Sequence, residues 1–145
     1  MSDAPFIVSG NLCLALETEQ RQLDPARVTA GVEALLKDPA KGIYFVAEAG
    51  GQLAGQLLIT REWSDWRNGD FWWIQSVYVL EQFRGGGIFR ALFEHVHALA
   101  RQRNDVCGLR LYVEASNSRA QAAYRRLGMT KTEYEMFETD FTLKS

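Results

Sequence analysis

Cysteine is scarce in this 145-residue chain: Cys13 and Cys107 are the whole supply. Their separation fits neither a metal-ligand motif nor an extracellular disulfide frame. Both are expected as buried free thiols, with no disulfide and no structural metal. The two histidines, His95 and His97, lie two residues apart on what reads as one helix. They therefore face different ways and make no metal pair. Basic excess is missing too, with 16 Lys and Arg against 18 Asp and Glu and a net charge of −2. That balance argues against nucleic acid or an anionic membrane as the main partner, although a small cationic substrate fits it. No run of about eighteen apolar residues occurs, as a spanning helix would need. Met1 to Ser9 lacks the basic region and apolar core of a signal peptide, so the cytoplasm is the expected compartment. Repeats, low-complexity tracts and linkers are absent as well. With 47% hydrophobic residues, the chain reads as one globular domain over residues 1–145.

Helical spacing begins with Leu12, Ala15 and Leu16, which predicts a helix over Asn11 to Gln22. Asp24-Pro25 supplies a cap and a first-turn proline for a second helix, which runs through Val28, Val32 and Leu35 and stops before Pro39. Ile43 to Ala49, the Gly50-Gly51 turn and Gln52 to Thr60 read as an antiparallel hairpin. Arg61 to Asp70 is polar but carries Trp63 and Trp66, which predicts a loop with large apolar anchors, of the kind that covers a site. Phe71 to Leu80 is an almost unbroken apolar and aromatic run, expected of a central strand buried on both faces. Ile88, Ala91, Leu92, Val96 and Leu99 then share one helical stripe. Leu109 to Val113 is the next expected strand. A short helix capped by Asn117 and closed by Gly128 follows, and Thr132 to Thr142 reads as a last strand or hairpin. This order predicts an α/β (α+β) fold with a mixed sheet and helices on both sides.

The stretch from Ile74 to Phe93 is the most informative. Strand residues Val77, Tyr78 and Val79 lead to Arg84, three glycines (Gly85, Gly86, Gly87) and then the helical residues Ile88, Phe89 and Arg90. Bare backbone units at a helix N-terminus, with an arginine alongside, favour an anion such as a phosphate. A nucleotide P-loop would need a Lys-Ser or Lys-Thr pair that does not follow Gly87. A dinucleotide fingerprint would need glycine where Arg90 stands. A simple chain turn remains the plain alternative.

Asn117-Ser-Arg-Ala120 and Tyr124-Arg-Arg-Leu-Gly-Met129, set after a strand, resemble the last signature of the GNAT superfamily of acetyl-CoA-dependent N-acetyltransferases. The Arg84-Gly-Gly-Gly-Ile88 turn is similar to that family's pyrophosphate loop, and the order and separation of the two signatures fit as well. The resemblance implies a mostly antiparallel central sheet with a splayed strand pair. It implies acetyl-CoA as cosubstrate, its pantetheine arm lying beside Val77, Tyr78 and Val79 and its pyrophosphate on the backbone of Arg84 to Ile88, ahead of Phe89 and Arg90. Asn117 would touch the cosubstrate, and Tyr124 would protonate the departing thiolate. A homodimer is a further expectation. Phe89 departs from the small residue usual at its place.

Direct attack of an amine on a thioester needs a donor for the developing oxyanion, a route for the amine's proton and a proton for the leaving thiolate. Some relatives carry a glutamate on the central strand where this chain has Gln75, which cannot act as a base. Glu114 is the first carboxylate candidate, with Glu81 or a held water behind it, and an exposed strand-end charge is the plain reading of Glu114. For the acceptor, Glu17, Glu19, Asp65 and Asp70 offer counter-charge to an ammonium, although surface carboxylates are common. Trp63, Trp66 and Tyr134 are expected in the core, with an acceptor cleft or a subunit contact as alternatives. The function expected is acetyl transfer to a primary amine of a small molecule, polyamine- or amino-acid-like. A protein N-terminus or lysine, or a non-catalytic acyl-CoA-binding module, are the other readings.

Overall fold

The computed structural model describes residues 2–143. They fall into two compact units, Met1–Leu111 and Tyr112–Ser145.

The first unit opens with helix α1 (Ala4–Glu19), which starts well before the expected Asn11 and carries a proline in its first turn, where the missing N–H costs nothing. Phe6, Ile7 and Val8 stand side by side, so this turn shows no apolar stripe, and the sequence periodicity begins only later. The helix ends at Gln20, whose φ of 51° is left-handed. Helix α2 (Pro25–Lys37) starts as expected, the Asp24 carboxylate accepting the Ala26 N–H at 3.0 Å.

Strands β1 (Ile43–Ala49), β2 (Gln52–Ser64), β3 (Gly69–Val79) and β4 (Val106–Arg110) form one sheet in that order. The first two junctions are antiparallel and β3–β4 is parallel. Helix α3 (Ile88–Arg101) makes the crossover that the parallel pair requires. The mixed, mostly antiparallel sheet is the fold class expected.

Neighbouring strand residues show which helix covers which face, because side chains alternate along a strand. Gln56 of β2 meets Asn11 of α1, and Tyr44 of β1 bonds to the same asparagine. On the other face, a Cβ on Gly55 would come within 2.8 Å of the Ile88 side chain of α3, and Phe45 lies edge-on to His95. Thus α1 and α3 cover opposite faces. Between them lie the core residues Leu57, Ile59, Ile74, Leu92, Phe93 and Val96.

Several sequence expectations are corrected. The tryptophan loop is a hairpin: β2 continues to Ser64, Trp63 pairs with Asp70 and only residues 65–68 turn. Trp63 and Trp66 are 64% and 83% exposed, so neither is a core residue. Cross-strand partners hold the extension, since Glu62 accepts from both Trp73 and Arg110. Strand β4 lies three residues upstream of the expected Leu109–Val113, drawn by pairing with Asp70 to Trp73. Cys107, on that strand, is exposed rather than buried.

The second unit contains helix α4 (Ser118–Arg126), closed by Gly128 at a φ of 91° and by the Met129 N–H donating to Tyr124 O at 3.0 Å. The strand expected over Thr132–Thr142 is not formed among the described residues. Tyr134, Met136, Phe137 and Phe141 are exposed, which also removes Tyr134 from the core. β-propensity alone does not make a strand, because a strand exists only through its ladder bonds. No helix among the described residues is long and apolar enough to cross a membrane.

The close approach at Gly55 is open to test. Gly55→Ala should destabilise the protein in urea unfolding by about 1–3 kcal/mol, as overpacking does. Ile88→Ala should relieve most of that cost in a double-mutant cycle, whereas additive costs would mean the clash is absorbed elsewhere.

Candidate functional site

Strand β3 pairs with β2 from Gly69 to Val79, but with β4 only from Asp70 to Trp73. From Ile74 onward β4 gives it no partner, so one backbone edge of β3 lies open across Val77, Tyr78 and Val79, the residues expected to face the cosubstrate arm. A bulge accompanies the divergence. Gln56 pairs with Tyr78 and Leu58 with Gln75, which leaves one extra residue on β3. Ser76 takes a φ of 50° there, rare for a residue with a Cβ, and a bulge bends and twists its strand.

Gln56 lies buried beneath the bulge, its Nε2 2.8 Å from Asn11 Oδ1 and 3.4 Å from Ser76 O. Its Oε1 finds no hydrogen-bond partner among the described residues, a cost of about 1–3 kcal/mol carried at this point. Gln75 is held too, donating to Thr60 Oγ1 at 2.6 Å.

Beyond Val79 the chain makes a single 3₁₀ turn, Glu81–Phe83, and then the glycine run. Gly85 and Gly87 have φ values of 82° and 83°, in the region that only glycine enters cheaply. Gly87 is the N-cap of α3 and offers no side-chain cap. The first intrahelical bond runs from Ala91 N–H to Gly87 O at 3.0 Å, so the N-terminal N–H groups and the positive end of the dipole point outward. Val79, Phe83, Arg84, Gly85, Gly87 and Ile88 line a recess of about 180 Å³, with Phe89 and Arg90 at its wall. A pyrophosphate fits this donor set. Arg90 is tied back to Glu94 at 2.8 Å.

Sequence reasoning missed how Glu17 ties the strand to the cradle. Its Oε1 accepts the Tyr78 hydroxyl at 3.0 Å, and its Oε2 accepts an Arg84 N–H at 2.8 Å. The Arg84 Nε donates to Val79 O at 2.9 Å, and the guanidinium lies 5.4 Å from the Tyr78 ring centre. Burial first, then the bond to Glu17 and the neighbouring Cys13 thiol, push the Tyr78 phenol up to about 12. The bond to Glu17 likewise raises Arg84 above its ordinary value. The tyrosine and the arginine stand three and nine residues from Gln75, but Glu17 reaches them from another helix, and no local pattern announces that contact.

The remaining acceptor candidates are dispersed. Glu19 sits 3.9 Å from Arg21. Trp63 pairs with Asp70 at the far end of β3, roughly 30 Å from Val79 at about 3.3 Å per residue, and Asp65 lies in the adjoining turn. The structure therefore brings Glu17 to the cradle end and leaves Trp63 and Asp65 at the other. Glu81 is exposed in the 3₁₀ turn. Among the described residues no group of three or more His, Cys, Asp or Glu gathers as metal ligands.

In the second unit, Asn117 Oδ1 accepts the Ala120 N–H at 3.1 Å, so its cap role holds. Glu114 lies four residues past β4 and accepts from Ser116 Oγ at 3.1 Å. Tyr124 is half-buried, and burial raises its phenol above the usual value.

Residues 12–129 match the acetyltransferase (GNAT) family. A solved structure described as a possible acetyltransferase from Clostridium difficile 630 is 43% identical, with a TM-score of 0.91 over 99% of this chain and 94% of that one. A predicted acetyltransferase with acetyl-CoA from Clostridium acetobutylicum shares the fold at 19% identity, with a TM-score of 0.76 over 97% of this chain and 91% of that one. Among curated proteins, mycothiol acetyltransferase of Corynebacterium aurimucosum is 29% identical over 135 residues, 90% of this chain and 44% of that protein. The chain thus spans under half the length of that relative.

The Tyr78–Glu17 bond has a pH signature. Above 10.0 an unfolded chain loses this proton while the fold keeps it up to about 12. Its stabilisation is therefore complete below 10.0 and declines as pH rises toward 12, by about 1.4 kcal/mol per unit. Tyr78→Phe should lose less stability than wild type across that window in urea unfolding. Parallel pH curves would show that the phenol is not held.

Proposed function

Because the chain belongs to the GNAT acetyltransferase family, we propose that it transfers acetyl directly from acetyl-CoA to a primary amine of a small molecule. The observation that carries this reading is the open edge of β3 from Ile74 to Val79, which leads within one turn into the uncapped N-terminus of α3. An extended amide chain ending in a pyrophosphate matches that order of donors, strand backbone first and helix N–H groups after it. Gly85 to Ile88 hold the phosphates in this reading, with Phe89 and Arg90 beyond them and Arg84 alongside. Asn117 adds a contact as well as capping its helix.

Acetyl-CoA, when bound, supplies the activated acyl group, and the chain's own groups do the rest. A backbone N–H of the Val77–Val79 edge stabilises negative charge on the carbonyl oxygen, fixed in place before reaction by the bulge. Tyr124 carries its proton at neutral pH, as any phenol does, and burial only holds it more firmly; in this reading it donates that proton to the departing thiolate. The attacking amine, with an ordinary pKa near 10, must first lose a proton. Gln75, bound to Thr60, cannot take it, and Glu114 is the carboxylate proposed. Glu17, which reaches Tyr78 and Arg84, is the proposed counter-charge for the acceptor ammonium, with Glu19 two residues on in the same helix; Trp63 and Asp65, at the other end of β3, fit this reading less well. The chain's free cysteines suit the cytoplasm, which is the compartment proposed.

Acetyl-CoA at a hundred times its Kd should raise stability by about 2.7 kcal/mol. No thermal shift would remove the cosubstrate from this reading. Thiol release should then depend on an added small amine, and release that responds only to peptides would move the acceptor to protein. Tyr124→Phe should lower kcat by about 10²- to 10⁴-fold, the usual range for a lost proton transfer, with little change in acetyl-CoA affinity. Glu114→Gln should flatten the acidic limb of the pH–rate profile, and a superimposable profile would assign the proton to water.

A further inference from the structure

The two faces of the sheet differ in chemistry. Leu57 and Ile59 share the α3 face with Gly55, and both are fully buried. The α1 face is polar at its centre, where Tyr44, Gln56 and Ser76 gather around Asn11. Asn11 Nδ2 donates to the Tyr44 hydroxyl at 3.0 Å, and that hydroxyl also bonds the Ser76 side chain. Among the described residues Gln56 is the buried polar side chain, with no exposed surface.

Both hydrogens of Gln56 Nε2 go to acceptors, Asn11 Oδ1 at 2.8 Å and Ser76 O at 3.4 Å. Turning the amide over would set its oxygen against those two oxygens, so its orientation is fixed. The unsatisfied Oε1 is the consequence, and it lies against α1, where a Cβ on Gly10 would collide with it. A methionine would fill the same space without that orphan, so packing alone does not favour glutamine here. What the glutamine holds is the bulge. Leu57 lies opposite two residues, Ser76 and Val77, and the ladder is disrupted between them. Ser76 takes up the distortion at a φ of 50°, and its carbonyl turns to Gln56. In a planar trans peptide the C=O and N–H point in opposite directions. Holding Ser76 O toward Gln56 therefore turns the Val77 N–H away from it.

We propose that Gln56 is a positioning residue for acyl transfer: through Ser76 O it orients the Val77 N–H as the donor to the thioester carbonyl oxygen, while Asn11 and Gly10 fix its carboxamide. The inference rests on the acetyl-transfer reading and narrows the Val77–Val79 edge to one N–H. Being wholly buried, Gln56 acts through the backbone and not on substrate. Its two bonds hold a strained peptide in one orientation before the ligand arrives, which is what an effective oxyanion donor requires.

Gln56→Met keeps the volume and removes both N–H donors. With acetyl-CoA isotope-labelled at its acetyl carbonyl and no amine added, the infrared C=O stretch of the bound thioester should lie below its free-solution value in wild type and return toward that value in Gln56→Met. Its Kd for acetyl-CoA should stay close to that of wild type. In contrast, kcat for amine-dependent thiol release should fall by about tenfold to a hundredfold, since the donor is misaligned and not removed. Gly10→Ala leaves the carboxamide chemically intact and suits a helix, so it carries the same test should Gln56→Met fold poorly. By pressing on Oε1 it should move the stretch and lower kcat in the same direction. A wild-type stretch at the free-solution value, or a stretch and kcat unchanged in the folded variants, would overturn the proposal and leave the acetyl-transfer reading standing. So would a loss of kcat matched by an equal loss of acetyl-CoA affinity, the mark of a merely structural role. Failure of the wild type to bind acetyl-CoA would remove the proposal and that reading together.

Discussion

The divergence of β4 from β3 after Trp73 and Arg110 is the constraint on which the rest depends. A central strand paired on both sides along its length would spend every backbone group within the sheet and offer none to a ligand. Here β3 is secured by β2 throughout and by β4 over four residues only. The extra residue at the bulge and the left-handed Ser76 turn the strand as it leaves its second neighbour. The buried Gln56, with one acceptor unsatisfied, is the local cost. An open edge in a folded core is expensive unless something later uses it, and this one runs into a helix N-terminus with two outward-facing glycines.

Packing makes that junction firm. Gly55 lets α3 settle against β2 at the Ile88 end, so the dipole end of α3 is anchored to the same strand that pairs with Val79. On the opposite face, Tyr78 reaches α1 through Glu17. Two helices on two faces are thus tied to this end of β3, α1 directly at Tyr78 and α3 through Gly55, the partner of Val79. The family match over residues 12–129 accords with this arrangement.

Much of this was legible in the sequence because it is local. The switch from β-branched residues to helical spacing across Gly85–Gly87 marked the cradle, and Asp24-Pro25 and Asn117 marked two helix starts. Cross-strand and long-range effects were not legible. Nothing near Trp63 shows that Glu62 will bridge Trp73 and Arg110 and so turn a supposed loop into a hairpin. Glu17 lies sixty-one residues before Tyr78, and its contact is a product of the fold. The tail from Thr132 misled for another reason: its side chains state a preference for a strand, but no strand is formed there among the described residues, because propensity is a preference and not a bond.

The shared guanidinium has a consequence of its own. Arg84 divides its hydrogen bonds between Glu17 and Val79 O, and it also lines the recess where an anion would sit. An anion drawn to that recess would meet the Glu17 carboxylate beside the same cation, and any change that its arrival made in the ion pair would, by reciprocity, act back on its own binding by the same factor. One ion pair, 2.8 Å long, thus joins the last turn of the first helix to the glycine turn.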